Sequence, residues 1–242
     1  MSLVNFSVVT GATSGIGRGY AEELAKRGLD IVLISRSEDK LRRVAKEIES
    51  KYKRQTRVIQ TDFTEGHSIY PAIAQQLEGL EIGILVNNVG MNYTGTLANF
   101  LDVPDPDQMS RLVLPGMLER EKGLIINISS ESASQPQPMQ SMYSASKIFV
   151  TYFSRCLNAE YRSKGITVQC VAPLVVSTNM TYNISVNPLV KSAASFARDA
   201  LNTVGYTTYT CGCLTHALQT LHFNHMIELL YMVLGNHSTS YL

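Results

Sequence analysis

Short apolar runs alternate with amphipathic stretches from the start of the chain. The runs at 6–10, 30–35, 56–60, 82–87, 124–129 and 167–171 are rich in Val and Ile. Runs of that length and composition read as strands buried on both faces. Between them, apolar residues recur every three or four positions over 16–27, 38–53, 68–77, 143–163 and 187–204, which predicts helices. The charges crowded between Lys40 and Arg54 read as the solvated face of the second helix. Alternation of this kind predicts an α/β fold, a doubly wound parallel sheet of the Rossmann type with right-handed crossovers. No repeat, low-complexity tract or linker interrupts the pattern, so residues 1–242 read as a single domain.

The chemistry sits where one element gives way to the next. Thr10-Gly11-Ala12-Thr13-Ser14-Gly15-Ile16-Gly17 follows the first strand and opens the first helix. Strand, glycine-rich turn and helix form the context of a dinucleotide phosphate site. Small residues let the backbone approach a pyrophosphate, and the helix N-terminus supplies N–H groups and a positive dipole end. Gly11, Ser14, Gly15, Ile16 and Gly17 are therefore candidate cofactor contacts.

The second strand ends Ile34-Ser35-Arg36-Ser37. An acidic residue here would bond a ribose 2′-OH, whereas an Arg accommodates a 2′-phosphate. Arg36, with Lys40 nearby, favours NADP(H) over NAD(H); Glu38 and Asp39 keep open the reading of an exposed basic helix start. Asp62, just past the third strand, is a further cofactor candidate. Asn87-Asn88-Val89-Gly90 ends the fourth strand at the carboxyl edge, where ligands of open α/β sheets bind, and Asn88 and Gly90 are placed on the adenine-ribose side.

Tyr143 and Lys147 stand four apart at the start of a helical run and so share one face. A fixed cation favours a phenolate, which makes Tyr143 a candidate general acid for an alkoxide formed on a reduced ketone. Ser130 precedes Tyr143 by 13 residues at the end of the fifth strand. Its hydroxyl is a candidate for orienting a carbonyl and steadying the developing oxyanion. Taken alone, each of these has a bland alternative as a chance helical pair or a strand-end cap.

Composition narrows the partners. A net charge of +1 gives no argument for nucleic acid, and 45% hydrophobic content suits a globular core. Cys156, Cys170, Cys211 and Cys213 read as buried free thiols, since Cys-Gly-Cys has neither zinc-ligand company nor redox spacing. The sequon at Asn127 lies within a strand-like run, so sequons are taken as coincidental. His222 and His225 have no third ligand beside them, His67, His216 and His237 belong to no constellation, and no metal is expected. No apolar run reaches the ~20 residues of a membrane span. Met226 to Leu234 is short and contains Glu228, and the first strand starts too near Met1 for a signal peptide, so a soluble chain is expected.

Together these motifs resemble the short-chain dehydrogenase/reductase family. Thr10-Gly11-x-x-x-Gly15-x-Gly17, Asn87-Asn88-x-Gly90, Ser130 and Tyr143-x-x-x-Lys147 stand in that family's order, over residues 4 to about 180. The resemblance implies catalytic Ser130, Tyr143 and Lys147, with Tyr143 as proton donor, Ser130 as carbonyl orienter and Lys147 also holding the nicotinamide ribose of NADPH. Val176 would contact the nicotinamide carboxamide. Leu80 to Met91, Val32 to Arg36 and Ser141 to Lys147 are similar to the 17β-hydroxysteroid dehydrogenase type 3 and type 12 group. Type 12 enzymes are also known as very-long-chain 3-oxoacyl-CoA reductases. That group implies an apolar carbonyl substrate, a place at the endoplasmic reticulum and a homodimer. Val176 to Thr181 and Thr210 to His216 tilt the reading towards reduction of 17-ketosteroids; Phe100 to Asp105 resembles the 3-oxoacyl-CoA alternative. Residues 178–242 would shape the substrate side.

Three departures from that family pattern stand out. Only residues 91–123 separate the fourth and fifth strands, so about half of a long helix is missing, and no Asn lies between Phe100 and Leu124 to complete a catalytic tetrad. The resemblance also expects a membrane-anchoring N-terminal segment and a longer tail. A truncated, catalytically silent isoform is the alternative these departures raise. Glu131, directly after Ser130, stands where many relatives have a small residue.

Overall fold

The computed structural model describes residues 6–89, 106–135 and 140–222. Seven strands form one parallel sheet. They are β1 (Phe6–Thr10), β2 (Asp30–Ser35), β3 (Thr56–Gln60), β4 (Ile82–Asn87), β5 (Gly123–Ile128), β6 (Ile166–Val171) and β9 (Tyr209–Thr210), with β7 (Val176–Ser177) and β8 (Lys191–Ser192) paired separately. The spatial order is β3-β2-β1-β4-β5-β6-β9. From β1 the chain winds outward in one direction, then returns to start β4 on the other side of β1. That reversal opens a crevice beyond the carboxyl ends of β1 and β4, where ligands of such sheets bind.

The helices are α1 (Gly15–Lys26), α2 (Glu38–Tyr52), α3 (Tyr70–Leu77), α4 (Pro106–Glu119), α5 (Ser141–Tyr161) and α6 (Ala193–Leu201), with a further helix over 214–222. Period-two alternation splits each strand between two cores. Val9, Leu33, Val86 and Ile126 face α1, α2 and α6, while Val8, Val32, Leu85 and Ile125 face α3 and α4. None of the described helices is long and apolar enough to cross a membrane.

The strand and helix expectations hold to within two residues except towards the tail. The helix expected over 187–204 shrinks to α6. Asn187 Oδ1 accepts from the backbone N–H groups of Leu189 (2.8 Å) and Val190 (3.0 Å), closing a local turn around Pro188. Ser192 then caps α6 by accepting from Ser195 N (3.3 Å). β9 was not anticipated, being only two residues long. Cys156 is exposed on α5, contrary to the expectation of buried thiols; Cys170 and Cys213 are buried. α4 is 14 residues long and contains no Asn.

Candidate active site

The turn after β1 is shaped by glycine. Gly11 (φ 65°) and Gly15 (φ 55°) take the left-handed backbone that L side chains resist. A Cβ on Gly17 would stand 2.4 Å from the Gly11 carbonyl oxygen, so α1 packs directly beneath its own turn. Asn88 locks the turn to β4: its Nδ2 donates to Thr10 O (3.1 Å). In return, Thr10 Oγ1 accepts from the backbone N–H groups of Asn88 (2.9 Å) and Val89 (3.2 Å).

Above this turn lies a cavity of about 350 Å³. Its walls include Gly11, Ser14, Gly15 and Ile16 of the glycine turn, Arg36 and Asp62 from the ends of β2 and β3, Asn88 and Val176, and also Ser130, Tyr143 and Lys147. Arg36 is largely exposed, its Nη1 4.0 Å from Asp62 Oδ2. Asp62 Oδ1 in turn accepts from Thr64 N (3.0 Å) and Thr64 Oγ1 (2.8 Å). Thr13 Oγ1 and Ser35 Oγ share a hydrogen bond of 3.0 Å on the same wall, a pair the sequence reading did not single out. Lys40 is exposed on the first turn of α2 and does not line the cavity; Gly17 lies buried under it. Gly90 lies outside the described residues.

Among the lining residues, Lys147 is 8% exposed and its Nζ donates to Ile128 O (3.0 Å). Burial pushes its ammonium down to about 8, offset in part by the neighbouring Cys170. The same Nζ lies 5.9 Å from the Tyr143 ring centroid. Ser130 Oγ shares a hydrogen with Ser132 Oγ (2.8 Å) and accepts from Ser132 N (3.3 Å). A hydroxyl, a phenol and a buried cation thus line one cavity, a set of groups able to polarise a carbonyl and hand it a proton.

Beneath these groups runs a buried polar seam that sequence reasoning missed. Ser129 Oγ donates to the Lys147 carbonyl (2.7 Å) and meets Thr151 Oγ1 (2.9 Å). Asn87 Nδ2 donates to Asn127 Oδ1 (2.9 Å) and Ser110 Oγ (3.3 Å), and Asn127 Nδ2 donates to Ser154 Oγ (2.9 Å). The chain that carries Lys147 is thereby tied to β4, β5 and α4 by bonds a well-packed apolar helix would not have. The available signal was the polar stripe Lys147, Thr151, Ser154 and Asn158 at helical spacing. Asn127, in the sequon, is fully buried. Glu131 does not line the cavity; its Oε2 accepts from Tyr209 OH (2.8 Å). Among the described residues, no three His, Cys, Asp or Glu gather to hold a metal.

The profile "short chain dehydrogenase" matches residues 5–188. A very-long-chain 3-oxoacyl-CoA reductase from Anas platyrhynchos is 52% identical over 228 residues, covering 88% of this chain and 72% of its own. The 17-beta-hydroxysteroid dehydrogenase type 3 of Homo sapiens is 46% identical, covering 90% and 74%. Among solved structures, a short-chain dehydrogenase from Sphingobium yanoikuyae in complex with NADPH superposes with a TM-score of 0.77 at 28% identity, covering 94% of this chain and 95% of that one. With its glycine turn, switch-point cavity and sequence all in agreement, the chain belongs to the short chain dehydrogenase family of oxidoreductases.

Proposed function

We propose that the chain is an NADPH-dependent ketone reductase whose substrate is a long-chain 3-oxoacyl-CoA. The observation that carries the reading is that Ser130, Tyr143 and Lys147 line the same cavity as the glycine turn at the head of α1. The residues present fit a dinucleotide phosphate. Gly11 and Gly15 leave their backbone bare, and Ser14, extended at the head of α1, spends no side-chain bond on capping it. Gly11, Ser14, Gly15 and Ile16 would hold the pyrophosphate, Arg36 the 2′-phosphate, Asp62 and Asn88 the adenosine side, and Val176 the carboxamide. Gly17 serves by letting α1 pack close.

When bound, the nicotinamide supplies a hydride to the ketone carbon. Ser130 donates its hydroxyl hydrogen to the carbonyl oxygen and orients it. Tyr143 gives its phenolic proton to that oxygen as it becomes an alkoxide. Lys147, fixed by Ile128 O and by the seam under α5, keeps positive charge beside the phenolate that remains.

The choice of substrate follows the relatives. The short segments that tilted the sequence reading towards a 17-ketosteroid are outweighed by the overall likeness, which is greater to the duck 3-oxoacyl-CoA reductase than to the human type 3 enzyme. In this reading the chain is one NADP-binding domain, working at the endoplasmic reticulum, in which residues 178–242 shape the substrate side; of these, 223–242 lie outside the described residues. A second reading, a silent isoform, is favoured by one observation: α4, Pro106–Glu119, carries no Asn.

The test is NADPH oxidation by purified protein, offered a long-chain 3-oxoacyl-CoA and androstenedione side by side. Faster turnover of the thioester is expected. Turnover of androstenedione alone would restore the steroid reading, and binding of NADPH without turnover of either would establish the silent isoform.

A further inference from the structure

Ser130 caps a single 3₁₀ turn, Glu131–Ala133, too short to hold itself in place by packing. What ties the turn to the sheet is Glu131, which is 7% exposed. Its backbone N–H donates to Pro173 O (3.0 Å), and its carbonyl accepts from Ser134 N (3.0 Å) and Ser134 Oγ (2.8 Å). Its carboxylate reaches the sheet edge, where Oε2 accepts from Tyr209 OH (2.8 Å) and Cys211 Sγ (3.8 Å). Burying a carboxylate is costly unless strong donors meet it. Here a phenol and a thiol meet it, and neither they nor Glu131 line the cavity.

The far end of this strut is firm. Tyr209 lies in β9, which is laced to β6 by Cys170 N donating to Thr208 O (2.8 Å) and Ala172 N donating to Thr210 O (2.8 Å). Gln169 Nε2 adds a bond to Thr207 O (2.9 Å). Pro173, the acceptor for the Glu131 N–H, continues from the same β6. Ser144 Oγ of α5 also donates to Ser132 O (3.4 Å), but the two ties to the sheet, from the end of β6 and from β9, both end on the residue next to Ser130.

We propose that Glu131 is a positioning residue: braced by Tyr209, it fixes the Ser130 turn against the sheet edge and so sets where the Ser130 hydroxyl meets the substrate carbonyl. The inference rests on the role proposed for Ser130. It assigns a task to the Glu131–Tyr209 pair, two residues 78 positions apart that do not line the cavity.

The experiment uses the full chain with NADPH and a long-chain 3-oxoacyl-CoA. Because misplacing a reacting group by about 1 Å costs up to ~10²-fold, Tyr209→Phe and Glu131→Ala should each lower kcat about tenfold or more, with the NADPH Kd unchanged. Glu131→Gln, which keeps an oxygen for the Tyr209 hydroxyl, should recover most of the rate. The double variant should be no worse than the worse single one, as for partners in one interaction. Wild-type kcat in Glu131→Ala, alongside loss of turnover in Ser130→Ala, would overturn the strut and leave Ser130 in place. Unimpaired turnover in Ser130→Ala would instead remove the reading on which the strut depends, and the strut with it. Amide hydrogen exchange over 130–134 in the NADPH-bound protein gives a readout independent of turnover and usable if Glu131→Ala fails to fold. Tyr209→Phe should speed exchange there, and unchanged exchange overturns the proposal.

Discussion

Helix α2 buries Leu41, Val44, Ala45 and Ile48 against the sheet and turns Lys40, Arg42, Arg43 and Lys46 to solvent. Helix α5 does the opposite. Its buried residues are Lys147, Thr151, Ser154 and Asn158, while Met142, Phe149 and Tyr152 are 42%, 54% and 60% exposed. The first helix is held by apolar area removed from water. The second is held by side-chain hydrogen bonds that must all be satisfied, because an unpaired buried polar group is expensive. The difference teaches that α5 gives up packing energy so that a cation can be kept in one place in the wall of the cavity. Moving the Lys147 ammonium from its ordinary 10.5 to about 8 corresponds to about 3 kcal/mol of disfavoured charge.

If that contrast is right, damage to α5 should strike chemistry and damage to α2 should strike stability. The largest effect expected is for Tyr143→Phe, which should lower reduction by roughly 10²–10⁴-fold while NADPH affinity stays nearly intact; a matching loss of both would make Tyr143 a structural residue. In α2, Ile48→Ala should cost about 2–5 kcal/mol in urea unfolding, with kcat per folded molecule unchanged. A fall in kcat there would erase the division of labour.

Lys147→Met should abolish turnover yet stabilise the cofactor-free protein at pH 7 by up to about 3 kcal/mol, since the buried cation is removed. The sign is checked by pH. The folded-state pKa is depressed, so the penalty is fully present below about 8 and relieved as pH rises towards 10.5, where the folded protein sheds its proton first. The gap between wild type and variant should therefore close over that window; a gap independent of pH would contradict burial of the charge. Arg36→Asp, just ahead of α2, should weaken NADPH by about 1.5–3 kcal/mol more than NADH, as for loss of a charged hydrogen bond. Equal weakening would remove the 2′-phosphate assignment. The smallest effect expected is for Phe149→Ser on the outward face of α5, within about 0.5 kcal/mol of wild type in the same urea assay.

Much of the fold was legible from the chain. Runs such as Asp30-Ile31-Val32-Leu33-Ile34-Ser35 mark strands covered on both sides, and Gly11, Gly15 and Gly17 mark the turn where only a missing Cβ lets the backbone close. Ser130, Tyr143 and Lys147 were legible as candidates through residue type and spacing, and the structure places all three along one cavity. The tail was harder to read. Residues 187–192 carry helical periodicity, but the Asn187 side chain captures two backbone N–H groups and sets a turn instead.

Local pattern by itself determined the element types, the doubly wound class and the position of the glycine turn, because each depends on residues within a few positions of one another. Tertiary structure alone decided the rest. Asn87 meets Asn127 across 40 residues, Ser129 clasps the carbonyl of Lys147 across 18, and Tyr209 braces Glu131 across 78. Such pairings follow from strand order and register, which bring distant side chains within 3 Å, and no periodicity along the chain encodes them. The polar seam under α5 and the strut beside Ser130 became visible only when β4, β5, β6 and β9 lay side by side.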